Sequence, residues 1–136
     1  MKVMAIDYGD ARTGIAVSDA LGMIAGEMFV ITEWDAGALA KTIAAEAKTR
    51  GVETLVLGLP KNMDGTEGAR AEKARALAEL LKAEGAPEVV MWDERRTTVD
   101  AHRILRDNGK KEKKHKSTVD AVAAALILEG YLGTLR

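Results

Sequence analysis

The sequence lacks cysteine, and this absence excludes disulfide bonds, zinc sites with cysteine ligands and thiol nucleophiles. No uninterrupted apolar run approaches the roughly 20 residues that a membrane span needs. No basic and apolar leader precedes the first predicted strand. We therefore expect a cytoplasmic protein that does not enter a membrane.

Internal repeats, low-complexity tracts and proline-rich linkers are also absent, and aromatic residues are few. A chain of 136 residues is long enough to bury one hydrophobic core. We therefore expect a single domain over residues 1–136.

The first ten residues combine a short apolar run with an acid and a glycine. Such a run is typical of a buried strand when a turn signal ends it, so Asp7 is predicted where a central strand reaches the surface. Residues 12–19 alternate enough to form the second strand of a hairpin. Asp7 then suits a phosphate or metal site, and equally a turn that its side chain caps.

The remaining pattern predicts three further strands and four helices. The strands cover about 22–32, 54–59 and 89–92, and the helices run over 35–50, to about 82, over 97–108 and from 117 onward. This order predicts an α/β fold with a five-stranded mixed sheet, in which an antiparallel meander is joined by two parallel strands. Helices are expected on both faces.

Acidic groups are expected to meet at one edge of this sheet. Ligands of open α/β sheets bind beyond the carboxyl ends of the parallel strands, where Asp7 and Glu94 are predicted. Asp120 lies one turn into the last helix among apolar neighbours, which favours an inward-facing or rim position. The pattern Ser117-x-x-Asp120 also matches a capping box, so a purely structural role stays open for Asp120.

A basic segment precedes the last helix of an otherwise acidic chain. Residues 103–116 contain seven basic and two acidic residues, a net charge of +5, and the rest of the chain carries −6. The segment suits either an arm for a polyanion or a solvated loop between two helices. Its lysines are Lys110, Lys111, Lys113, Lys114 and Lys116.

Four blocks of sequence resemble a known family. They are Ile6 to Gly9 with Arg12 to Asp19, Val56 to Thr66, Trp92 to Thr98, and Lys116 to Glu129. In this order and at these separations, they make the whole chain similar to the YqgF family, also called RuvX, of the RNase H-like superfamily. The resemblance implies an RNase H-like fold and a metal-dependent nuclease, assigned in bacteria to 5′-end maturation of pre-16S rRNA. By superfamily analogy it also implies a Holliday junction resolvase acting on branched DNA.

The resemblance places the family's acidic triad at Asp7, Glu94 and Asp120. Three converging carboxylates can hold one or two Mg²⁺ or Mn²⁺ ions, which activate a water and neutralise the charge that grows on a phosphodiester during hydrolysis. Asp7, presented by the central strand, is the best candidate to bridge two ions, with Glu94 and Asp120 each completing one.

Contacts with the substrate are expected from the basic segment and from three other residues. Arg95 suits a phosphate contact or a surface ion pair with Asp93 or Asp100. Lys61 and Asn62 suit contacts with a nucleic-acid strand or the chemistry of a turn. The expected partners are pre-rRNA, the ribosomal small-subunit precursor, or single-stranded or structured DNA, bound by a monomer or a homodimer.

Three other classes of protein share some of these features. Nucleotide-binding domains of the actin, Hsp70 and sugar-kinase type share such a hairpin, but they need two domains to close over ATP. A Rossmann fold is excluded because no G-x-G-x-x-G segment follows the first strand. A non-catalytic nucleic-acid-binding assembly factor stays open, although a binder has no use for three acids facing a polyanion.

Overall fold

The computed structural model describes residues 1–22, 24–96 and 116–135, with side chains at 116–118 excepted. The predicted helix over 97–108 lies outside these residues. The described elements are β1 (Val3–Asp7), β2 (Arg12–Ser18), β3 (Ala25–Thr32), α1 (Ala36–Arg50), β4 (Thr54–Leu59), α2 (Ala69–Ala83), β5 (Glu88–Asp93), a 3-10 turn (Glu94–Arg96) and α3 (Lys116–Thr134).

The five strands form one mixed sheet in the order β3-β2-β1-β4-β5. The central strand β1 is antiparallel to β2 and parallel to β4, and β5 extends the parallel half. The predicted five-stranded mixed sheet is therefore confirmed. Its strand order changes direction at β1, which places the end of that strand at the middle of the ligand-binding edge.

Alternating side chains of β1 divide the core into two layers. Met4 and Ile6 pack in one cluster with residues of α1 and α2. Val3 and Ala5 pack in a second cluster with residues of α3. Successive side chains of a strand point to opposite faces, so residues 3–6 of β1, which are all apolar, are buried on both sides of the sheet.

Local sequence signals set the ends of the helices. Asp35 caps α1 by accepting a hydrogen bond from the Ala38 backbone N–H at 2.9 Å. Gly51 ends the helix in the left-handed conformation at φ 69°, which favours glycine. The second helix packs on the core through buried residues at helical spacing, which include Ala74, Leu77, Ala78 and Leu81.

β3 begins later than the pattern indicated. It starts at Ala25 because Gly22, at φ 69°, belongs to a turn in which its N–H donates to the Asp19 carbonyl oxygen at 3.0 Å. The β2–β3 register shifts between Val17 and Ser18, whose partners are Glu27 and Ala25, so Gly26 is the extra residue of a β-bulge, a role typical of a glycine inside a strand. No helix within the described ranges is long and apolar enough to cross a membrane.

Candidate active site

A cleft opens where the carboxyl ends of β1, β4 and β5 meet. We call it the carboxylate cleft; it is lined by Asp7, Tyr8, Asp10, Gly58, Pro60, Arg70, Lys73, Ala74 and Glu94. Strand order explains why Asp7 and Glu94 meet, since Asp7 ends β1, Glu94 follows β5, and β4 alone separates these two strands. The predicted convergence of these two acids is therefore observed.

Asp7 and Glu94 form a hydrogen-bonded carboxyl pair. A hydrogen bond between two carboxyl groups needs a proton on one of them. Burial, and then the charges of Glu94 and Asp120, raise the pKa of Asp7 to about 7. Burial also raises the pKa of Glu94, opposed by the hydrogen bond with Asp7 and by the charge of Arg70.

Gly58 makes room for this pair. A Cβ atom at Gly58 would clash with Glu94 Oε1 and would lie 2.9 Å from Ile127 Cδ1. Only glycine therefore lets the Glu94 side chain lie across β4 towards Asp7. Sequence reasoning missed this role, although a glycine between Leu57 and Leu59 in a buried strand is a signal for close approach.

Asp120 lies near this pair but is held by another partner. Its Oδ2 accepts a hydrogen bond from Arg12 Nε on β2 at 3.2 Å, and both side chains are partly exposed. The approach of α3 to β2 depends on Gly14, whose Cβ would clash with the Asp120 carbonyl oxygen. Within residues 1–22, 24–96 and 116–135, no three Asp, Glu, His or Cys side chains lie together as a formed metal site.

Two basic side chains from the start of α2 border the cleft. Arg70 Nη2 donates to the Tyr8 carbonyl oxygen at 3.4 Å, and Lys73 Nζ lies 3.3 Å from Asp10 Oδ1. Arg70 Nη1 is 4.0 Å from Asp10 Oδ2. Sequence reasoning missed both; the signal was two basic residues three apart on the first turns of a helix that follows a sheet-edge loop.

The predicted contact residues of the loop after β4 have structural partners. Asn62 Nδ2 donates to Thr66 Oγ1 at 2.9 Å, and the Asn62 backbone N–H donates to the Thr66 carbonyl oxygen at 2.9 Å. Asn62 thus closes the turn, which was one of its two predicted roles. Lys61 lies within electrostatic range of Glu67 and Asp93.

Arg95 forms the surface ion pair with Asp93 that was one of its two predicted roles. Arg95 Nη2 lies 2.7 Å from Asp93 Oδ2, and its Nε lies 3.1 Å from Oδ1. This hydrogen bonding lowers the pKa of Asp93 to about 2. The substrate role of Arg95 stays a prediction. Of the basic segment, Lys110, Lys111, Lys113 and Lys114 lie outside the described residues, and Lys116 begins α3 without a described side chain.

Relatives with known names cover almost the whole chain. A protein from Acetivibrio thermocellus is 47% identical over 135 residues, with 97% of this chain and 95% of the relative covered. A protein from Halothermothrix orenii is 42% identical over 132 residues, with 97% and 94% covered. Both carry the name "Putative pre-16S rRNA nuclease".

Solved structures share the fold at low sequence identity. Thermus thermophilus RuvC in complex with a Holliday junction substrate matches with a TM-score of 0.60 and 14% identity, covering 98% of this chain and 96% of that chain. The large terminase nuclease of thermophilic phage G20c matches with a TM-score of 0.59 and 12% identity, covering 95% and 80%. These likenesses confirm the predicted RNase H-like fold.

A family model assigns the chain directly. The model described as "RuvX: Holliday junction resolvase" matches residues 1–134. The resemblance inferred from the four sequence blocks is thereby confirmed, and with it the nuclease class that the names of the relatives express. The chain belongs to the RuvX family.

Proposed function

We propose that the protein is a divalent-cation-dependent nuclease that processes the 5′ end of pre-16S rRNA, with its active site in the carboxylate cleft. The names of the relatives support the substrate. We further propose that residues 1–136 form one catalytic domain and that it works in the cytoplasm. The observation that carries the site assignment is the Asp7–Glu94 carboxyl pair.

This pair is hard to explain as a structural feature. Two carboxyl groups held against each other in a partly buried cleft destabilise a fold at neutral pH unless a proton or a cation separates their charges. Perturbed acids in a cleft are therefore candidates for functional groups. Hydrolysis of a phosphodiester bond, which the names of the relatives imply, would require such a pair.

The donor atoms fit a hard divalent cation. Mg²⁺ and Mn²⁺ prefer carboxylate oxygens and keep several waters, so few protein ligands are needed. The carboxylates of Asp7 and Glu94 are suitable protein ligands. Asp120, whose charge reaches Asp7, would join them on exchanging its contact with Arg12. When bound, the cation would supply activation of a water and neutralisation of the phosphoryl and leaving oxygens.

The basic residues around the cleft are proposed to hold the substrate. Arg70 and Lys73 offer positive charge beside the acids, where the phosphates of a bound strand would lie. Lys61, Arg95 and the lysines of residues 110–116 would extend this contact along the strand, and Asn62 would fix the shape of its loop. Neutralising phosphates in this way makes binding depend strongly on salt.

The test is cleavage of three labelled substrates: a precursor-rRNA 5′ segment, a single-stranded DNA and a four-way DNA junction. Each is incubated with Mg²⁺, with Mn²⁺ and with chelator, using wild type, Asp7→Asn and Glu94→Gln. Matched controls are Asp35→Asn, which keeps its capping oxygen, and the exposed Glu53→Gln. We expect cation-dependent cutting of the rRNA segment by wild type and both controls, and none by the two cleft variants.

The other outcomes separate the alternatives. Preferred cutting of the four-way junction would favour the Holliday junction resolvase named by the family description over rRNA processing. Binding without cutting, equal in wild type and in both cleft variants, would overturn the nuclease and favour the non-catalytic assembly factor.

A further inference from the structure

Trp34 is a large aromatic side chain at the surface, 76% exposed. It lies in the connection between β3 and α1, where both neighbours are anchored. The Glu33 backbone N–H donates to the Ala11 carbonyl oxygen at 2.9 Å, and Asp35 caps α1. The indole is thus presented from a fixed segment.

A groove joins Trp34 to the carboxylate cleft. Trp34 borders a shallow cavity with Tyr8, Asp10, Ala36, Lys73, Ala76 and Leu77. Tyr8, Asp10 and Lys73 also line the carboxylate cleft. The two depressions therefore share one wall, and a chain leaving the Asp7–Glu94 pair can pass along it to the indole. We call this path the Trp34 groove.

The charges of the groove fit a phosphodiester backbone. Lys73 lines both depressions and Arg70 lines the carboxylate cleft, and both face the carboxylate of Asp10. All three side chains are more than half exposed, so these ion pairs hold weakly and are exchanged for phosphate at little cost. Basic groups along the backbone path, with an aromatic plane at its end, match the way proteins bind single strands.

We propose that the Trp34 groove binds an unpaired stretch of nucleic acid, with a base stacked on Trp34 and its phosphates on Arg70 and Lys73. This inference rests on the proposed nuclease function and adds a requirement for single-stranded character on this side of the scissile bond. Stacked bases in a duplex have no free face for the indole, so the groove distinguishes unpaired from paired substrate.

The test measures binding in chelator, so that it does not depend on cleavage. Fluorescein-labelled single-stranded RNA, single-stranded DNA and duplex DNA of one sequence are titrated with wild type, Trp34→Ala, Trp34→Phe and Leu21→Ala. Leu21 is 79% exposed in the β2–β3 turn and serves as the matched control. The fluorescence of Trp34 is followed in parallel, because Trp92 is buried.

We expect Trp34→Ala to weaken binding of both single strands roughly tenfold and to leave duplex binding unchanged. Trp34→Phe and Leu21→Ala should stay within about threefold of wild type, since phenylalanine keeps a stacking face. Single strands should quench the indole fluorescence of wild type. Lys73→Gln should lower the salt dependence of single-strand binding by roughly 0.7 in log–log slope.

Unchanged single-strand affinity in Trp34→Ala, or no quenching by any oligonucleotide, would overturn the proposal and point to a protein partner for the indole. Equal loss of single-strand and duplex affinity would also overturn it. Because these readouts need no cutting, a failure of this inference appears in the binding data, whereas a failure of the nuclease appears in the cleavage test with Mg²⁺ or Mn²⁺.

Discussion

The Asp7 carboxyl group keeps its proton in the folded chain at pH values where the unfolded chain has lost it. The pKa of Asp7 is about 7 in the folded chain and 3.8 in the unfolded chain, because burial and the charge of Glu94 raise it. Between these values the native state binds more protons than the unfolded state, so the free energy of unfolding falls as pH rises. The contribution of this group to the free energy of unfolding is complete below about pH 4 and is lost above about pH 7.

Asp7→Asn removes this titration and should stabilise the cation-free protein at high pH. In chelator at pH 8, we expect the Tm of Asp7→Asn to exceed that of wild type by several degrees; at pH 4, where both side chains are neutral, the two should agree. Thermal unfolding followed by circular dichroism measures both. Glu53→Gln is the control, and a Tm difference independent of pH would contradict this explanation.

The Arg12–Asp120 ion pair should affect the binding of the cation more than it affects the stability of the fold. Both side chains are partly exposed, so Arg12→Gln should change the free energy of unfolding by less than about 1 kcal/mol. It also removes the positive charge that competes for Asp120, so half-maximal cleavage should need less Mg²⁺. The control is Arg75→Gln, which breaks the exposed pair with Glu67. A higher Mg²⁺ requirement in Arg12→Gln alone would instead give Arg12 a role in holding the substrate.

Single residues were predictable where the backbone fixes their place. Asp7 ends β1 and Glu94 follows β5, and these parallel strands are separated only by β4, so the sheet brings the two acids together. Arg12 and Asp120 are 108 residues apart in sequence, and their contact depends on how α3 packs on β2. A pattern of residue types does not encode that packing. Arg70 and Lys73 were missed for the same reason, since the start of α2 reaches the cleft only through tertiary structure.

At the scale of elements, β4 and α3 position Glu94 together. Gly58→Ala puts a methyl group against Glu94 Oε1 and Ile127 Cδ1, and it should destabilise the fold by about 1–3 kcal/mol. Because Glu94 must move, cleavage should fall further than the stability loss explains. Urea unfolding and cleavage at a temperature where both proteins are folded separate the two effects.

Gly133→Ala is the matched control for this substitution. Gly133 lies in α3, and a Cβ there meets nothing within 4 Å. Alanine should stabilise the helix by about 0.5–1 kcal/mol and leave cleavage unchanged. Equal effects of the two substitutions would contradict the role given to Gly58.

Elements with strong local signals were predicted to within a residue or two. α1 has an N-cap aspartate and a left-handed glycine at its ends, and β4 is an unbroken apolar run. β3 was placed too early because Gly22 and Ile24 continue the apolar pattern although the chain there forms a turn. Apolar composition alone does not separate a turn from an edge strand.

At the scale of the whole molecule, one sheet holds both layers of the core. α1 and α2 cover one face and α3 covers the other, so neither layer is closed without the shared strands. We expect unfolding in one cooperative step, with coincident urea transitions by circular dichroism and by tryptophan fluorescence. Separate transitions would contradict the proposed single domain.

The assembly state bears on the choice of substrate. A junction resolvase needs two active sites in a symmetric dimer, whereas an enzyme that trims rRNA can act as a monomer. We therefore expect rRNA cleavage to persist at protein concentrations where sedimentation finds only monomer. Cleavage that disappears on dissociation of a dimer would favour junction resolution.

We propose above all that the Asp7–Glu94 pair is the catalytic centre of a cation-dependent nuclease. The most direct test is the single-turnover rate of precursor-rRNA cleavage in Mg²⁺, measured for wild type, Asp7→Asn and Glu53→Gln, with matched circular dichroism spectra. We predict a rate at least about 100-fold lower for Asp7→Asn and an unchanged rate for Glu53→Gln. Cleavage by folded Asp7→Asn at the wild-type rate would contradict the claim.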